Sequence, residues 1–134
     1  MTIVSGGFDP IHPGHIMMME ECKEFSDYLI VGLNSDIWLT RKKGNFFMDM
    51  KHRSYVVSRL RVVDEIMEFN DDDNSASDFL KKVTEKYPDS KVIFANGGDR
   101  SDPSKVRELE MAEKLKIELK FGAVSYTHLR AHET

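Results

Sequence analysis

The chain has a single cysteine, Cys22, in 134 residues. No internal disulfide can form, so a stapled extracellular domain is excluded and a reducing cytoplasm is the expected compartment. Long apolar runs are missing as well. No segment approaches membrane-spanning length, and the start lacks the charged-then-apolar layout of a signal peptide. Nor is there an excess of positive charge: 19 Lys and Arg stand against 23 Asp and Glu, a formal charge of −4. That argues against nucleic acid as a partner, which wants a basic face, and against membrane attachment. It leaves open a small anionic ligand held by a local cluster of Lys, Arg and His. With 40% apolar and 31% charged residues, the chain reads as one soluble domain with its own core.

What is present begins at the N-terminus. A short apolar run, Ile3-Val4, breaks into Gly6-Gly7-Phe8-Asp9-Pro10-Ile11-His12-Pro13-Gly14-His15. A strand that ends at two glycines and re-enters a helix suits a polyphosphate. Glycine lets backbone N–H groups approach the anion, and the helix start adds unpaired amides and its positive dipole end. His12 and His15 are spaced to share one helix face. They could act as acid–base groups, since imidazole titrates near pH 6.5, or as donors that neutralise charge on a transferring phosphorus. With no third Cys, His or Glu at ligand spacing they make a poor zinc set, and no metal ligand is assigned.

The rest alternates strand and helix. Strands are expected at residues 3–5, 28–33, 62–67, 91–95 and 117–121, and helices at 14–25, 49–60, from Asn74 or Ser75 to 87, and 103–115. A basic loop is expected at residues 41–44, and the acidic run Asp71-Asp72-Asp73 reads as a solvated turn. Strands separated by helices imply right-handed crossovers. The fold class is therefore α/β, a Rossmann-like, doubly wound, five-stranded parallel sheet in a single domain. Such sheets bind ligands beyond the carboxyl ends of their strands, where residues 6–15, Asn34-Ser35-Asp36 and Gly97-Gly98-Asp99 all fall. Among other residues, Trp38 suits stacking or packing, Met17-Met18-Met19 reads as flexible core filler, and Cys22 as inert core.

The motif at residues 6–15 resembles the signature of the His-x-Gly-His nucleotidyltransferase superfamily. That group includes glycerol-3-phosphate cytidylyltransferase, the adenylyltransferase domain of ADP-heptose synthase, and adenylyltransferases acting on nicotinate mononucleotide and phosphopantetheine. The similarity extends over residues 2–122, through Asp27 to Asp36, Lys42-Lys43, His52-Arg53, Arg61-Val62-Val63-Asp64-Glu65 and Asn96 to Arg100. It implies attack by an acceptor phosphate or hydroxyl on the α-phosphate of an NTP bound with Mg²⁺, releasing pyrophosphate without a covalent enzyme intermediate. On that basis His12, His15, Lys43 and Arg53 are the catalytic candidates. Nucleotide binding falls to Gly6, Gly7, Phe8, Asp9, Gly14, Asn34, Asp36, Arg61, Gly97, Gly98 and Asp99, with Asp9 at the triphosphate or its metal. The resemblance also implies a homodimer.

The cytidylyltransferase branch, transferring CMP from CTP to a small phosphorylated acceptor, fits the Arg53 helix, residues 61–65 and the loop lysines. An ATP-using adenylyltransferase of the heptose-phosphate or nicotinate-mononucleotide type is the alternative. One departure stands out. The family carries a second phosphate-binding signature near its C-terminus, which Ser125-Tyr126-Thr127-His128-Leu129-Arg130 mimics only loosely. Residues 125–134 resemble a translated adapter sequence and are read as a non-native tail on a domain of residues 1–124. A nucleotide-binding module without turnover is then the reading from another class.

Overall fold

A computed structural model describes residues 1–95 and 103–120 and carries the alternation expected from the sequence. In chain order the elements are β1 (Thr2–Gly6), α1 (Pro13–Phe25), β2 (Leu29–Leu33), α2 (Asp36–Lys43) and α3 (Met50–Ser58). They continue with β3 (Glu65–Glu68), α4 (Ser77–Lys86), β4 (Ile93–Phe94), α5 (Pro103–Leu115) and β5 (Glu118–Leu119). The five strands form one parallel sheet in the order β3-β2-β1-β4-β5. From β1 the chain winds outward through β2 to β3, then returns to the other side of β1 for β4. The switch in strand order therefore lies between β1 and β4, where open α/β sheets place their ligands.

Side chains alternate across the sheet, so neighbouring apolar residues of one strand feed different cores. Ile3 and Ile30 join Phe79, Leu80, Val83 and Ala112 under α4 and α5. Val4 and Val31 join Met19, Cys22, Leu33 and Val57 under α1 and α3. Gly32, in mid-β2, makes room for Phe79: a Cβ there would lie 2.8 Å from three atoms of that ring.

Four expectations are corrected. The basic residues Arg41, Lys42 and Lys43 form the last turn of α2 instead of a loop. Ser35 caps that helix by accepting from the Trp38 amide at 3.0 Å, and Gly44 closes it in the left-handed conformation (φ 81°) with its N–H on Thr40 O. Cations at a helix C-terminus also complement its dipole. The third strand starts later than expected, because residues 61–62 complete a turn after α3. The acidic run is not simply solvated: Asp71 is buried, and its carboxylate accepts from Asn34 Nδ2 (3.1 Å), Ser35 N (2.8 Å) and Ser35 Oγ (2.7 Å). Ala76 takes the cap position of α4, while Ser75 Oγ accepts from the Ser77 amide at 3.3 Å.

Candidate active site

The histidine motif builds a closed local structure at the start of α1. His12 is the N-cap residue: its Nδ1 accepts from the Gly14 amide at 3.1 Å, while its own amide donates to His15 Nδ1 at 3.1 Å. This is a capping box made of imidazoles. The two rings stack, with centroids 3.7 Å apart and planes 25° from parallel. A ring nitrogen that accepts carries no proton, so both neutral rings hold theirs on Nε2. Burial, and then the neighbouring His12, pushes His15 down to about 4, so it is neutral at physiological pH. The pair therefore offers neutral N–H donors. The unpaired helix-start amides expected from the sequence are not present: Pro13 has none, Gly14 donates to His12 Nδ1, and the His15 and Ile16 amides donate to His12 O.

Phe8 links this pair to the glycines. Its backbone is left-handed (φ 48°), and its buried ring meets His15 edge-on with centroids 5.0 Å apart. The same ring explains Gly6, where a Cβ would sit 3.0 Å from Phe8 Cζ. At Gly7 a Cβ would lie 2.7 Å from Leu39 Cδ2 of α2. A side chain at either position would press on these neighbours, and glycine also allows the backbone to approach phosphate.

Asp9 is clasped. Its carboxylate, 1% exposed, accepts from the amides of Phe47 and Met48 at 2.6 Å each and pairs with Lys43 Nζ at 2.9 Å. Lys43 also donates to Asp9 O at 2.8 Å. Burial raises the Asp9 pKa, but the bonds from Lys43, Phe47 and Met48 together with the Lys43 charge outweigh it and leave the carboxyl below its ordinary value. Asp9 thus ties the segment before α3 to the motif.

A cleft of about 320 Å³ opens at the carboxyl edge of β1 and β2. Trp38, Arg41 and Lys42 of α2 form one wall, the turn before α4 another, and Lys105 and Glu108 of α5 a third, with Gly6 on the floor. Lys42 Nζ lies 4.8 Å from the centroid of the Trp38 ring. Arg41 holds the turn by donating to Asp71 O (2.7 Å) and Asn74 Oδ1 (3.2 Å). Glu108 is buried, accepting from the Ala76 amide at 2.9 Å and from Lys105 at 3.4 Å. Among the described residues, the lining of the cleft does not include the histidine pair. The two lie beside one another, with Gly6 lining the first and Phe8 touching the second.

A family model described as cytidylyltransferase-like matches residues 3–125. The chain belongs to the cytidylyltransferase-like family. Among relatives of this cytidylyltransferase-like chain, the bifunctional protein HldE of Sulfurimonas denitrificans is 36% identical over 122 residues, 87% of this chain and 23% of that protein. Glycerol-3-phosphate cytidylyltransferase of Bacillus subtilis is 33% identical over 66 residues, 49% of this chain and 51% of that one. The chain thus spans about a quarter of the length of the HldE protein it matches. A solved lipopolysaccharide core biosynthesis protein from Thermoplasma volcanium superposes with a TM-score of 0.64 at 29% identity, covering 90% of this chain and 91% of that one.

Within this cytidylyltransferase-like domain, Gly6, Gly7, Phe8, Asp9, Gly14, His12, His15, Asn34, Asp36 and Lys43 gather at one edge of the sheet. Asp9, expected at the triphosphate or its metal, is bound by Lys43 and two amides. Arg53 is fully buried, bonding to backbone carbonyls and Asp36, and has no exposed edge with which to touch a substrate. Arg61 is an exposed turn residue near the opposite edge: Asp64, three residues on, donates its amide to Leu29 O at the start of β2. Gly97, Gly98, Asp99 and residues 125–130 lie outside the described residues. Sequence reasoning missed Asp71, Arg41, Lys105 and Glu108. For Asp71 the available signal was its place just after the third strand, where such folds organise ligands.

Proposed function

We propose that this domain transfers a nucleotidyl group from an NTP, CTP in the first instance, to the phosphate of a small acceptor. An acceptor phosphate oxygen attacks the α-phosphorus, the bond to the bridging oxygen breaks, and pyrophosphate leaves with the displaced electron pair. Mg²⁺ enters with the triphosphate as part of that substrate. The observation that carries this reading is the stacked His12–His15 pair, pinned at Nδ1 so that both rings present Nε2–H, at the carboxyl end of β1 beside a cation-lined cleft. Neutral donors fixed before the substrate arrives need no reorganisation as charge moves onto the phosphoryl oxygens. In this reading the cleft takes the acceptor, with Lys42 and Lys105 facing its phosphate and Trp38 forming a wall. Catalysis is then positioning plus charge neutralisation.

The similarity to the Bacillus glycerol-3-phosphate cytidylyltransferase favours CTP, and glycerol 3-phosphate is the first acceptor to try. Pyrophosphate release should be followed with each of the four NTPs, Mg²⁺ and a panel of phosphorylated acceptors. Release that depends on both CTP and an acceptor is expected. A preference for ATP would replace the cytidylyl reading with the adenylyl one. Nucleotide binding by calorimetry with no release from any pair would make the chain a binding module.

A further inference from the structure

We propose that Arg53 is a positioning residue that locks the glycine loop to α2, and that turnover depends on it although it touches neither substrate. The proposal rests on the nucleotidyl-transfer reading for its kinetic arm only. Arg53 is 0% exposed. Nε donates to Met48 O at 3.0 Å, Nη1 to both Gly7 O at 2.9 Å and Asn34 O at 2.7 Å, and Nη2 to the Asp36 carboxylate at 2.6 Å. One planar fork thus joins the loop after β1, the turn after β2, the first residue of α2 and the segment entering α3.

Each of those partners continues into the site. Gly7 precedes Phe8, whose left-handed backbone is a conformation that persists only where surroundings over-determine it. The Phe8 ring in turn stands against His15. Asn34 and Asp36 lead into α2, which carries Trp38, Arg41 and Lys42 on the cleft wall. Arg53 therefore holds the histidine side and the cleft side in register. Lysine cannot replace it: an ammonium on a flexible stem has three donors and no fork, so buried carbonyls at Gly7 or Asn34 lose their partner.

The test uses the full chain with Arg53→Lys, and with Asp36→Ala as a second variant at a carboxylate that is 33% exposed and so tolerates removal better. Circular dichroism identifies the temperature range in which each is folded. In that range kcat should fall on the order of 10²-fold, the effect of a small misplacement of reacting groups, while the calorimetric Kd for CTP changes much less. The His15 ring resonances should also move, with a titration midpoint closer to the ordinary imidazole value. A folded variant with unchanged kcat, or with unchanged His15 resonances, overturns the proposal. If the unsubstituted protein turns over no substrate pair, the functional reading has failed and the His15 arm alone decides the positioning role. Should Arg53→Lys not fold, Asp36→Ala carries both readouts.

Discussion

Both imidazoles of the His motif direct their Nδ1 lone pairs at backbone amides, and this fixes what each ring can do. Neither neutral ring has a lone pair left to offer a metal unless it gives up its cap, so the pair suits oxyanions and is a poor chelator. The pH behaviour follows. His15 lies near 4 when folded, below its ordinary 6.5, so the unfolded chain binds that proton more tightly. Its contribution to stability is complete above about pH 6.5 and is lost as pH falls toward 4. His15→Asn keeps an acceptor for the His12 amide but cannot titrate or present Nε2–H. Denaturation midpoints of that variant between pH 4 and 6.5 should depend less on pH, by on the order of 1 kcal/mol for a part-exposed ring. Turnover should drop on the order of 10²-fold, as for loss of one transition-state donor. The two histidines and their pairing were legible in the sequence. The Nδ1 bonds were not, because they depend on ring orientation within one turn of helix.

Among the elements, the strands were the most legible, since unbroken apolar runs such as residues 29–31 have little else to become in a chain of this size. Helix α2 was the least: eight residues with three consecutive cations carry no apolar period, and only the Ser35 cap and Gly44 stop mark its ends. The sequence offered Arg53 as a catalytic candidate and gave no sign of its burial, because three of its partners are carbonyls of residues 7, 34 and 48, and carbonyls leave no trace in a sequence. Gly32 has a different hidden reason, the Phe79 ring that crosses β2. Gly32→Ala forces that ring aside and should destabilise the domain by about 1–3 kcal/mol, the usual cost of overpacking, as read from urea denaturation. In a Phe79→Leu background the same substitution should cost less, because the ring atoms it collides with are gone.

At the scale of the whole molecule the sheet has one edge for chemistry and one for cohesion. At the second edge Glu65 accepts from Tyr28, Tyr87 and Lys86, joining the approaches to β2 and β3 with the end of α4. Asp64 beside it takes Lys23 of α1 and the Leu29 amide. Burial raises the Glu65 pKa, but the bonds from Lys86, Tyr87 and Tyr28 and the Lys86 charge bring it below its ordinary value. Stability from this carboxylate is therefore present above about pH 4.5 and is lost on acidification. Glu65→Gln should lower stability at pH 7 by about 1–2 kcal/mol, since hydrogen bonds to charged groups are the stronger ones. It should leave kcat/KM unchanged well below the melting temperature, which a coupled enzymatic assay would check. On the chemical edge, the histidine pair and the cleft flank the end of a single strand. In the proposed reaction the nucleotide and the acceptor then meet at the end of β1, so the separation of the reacting groups is set by the frame of the sheet.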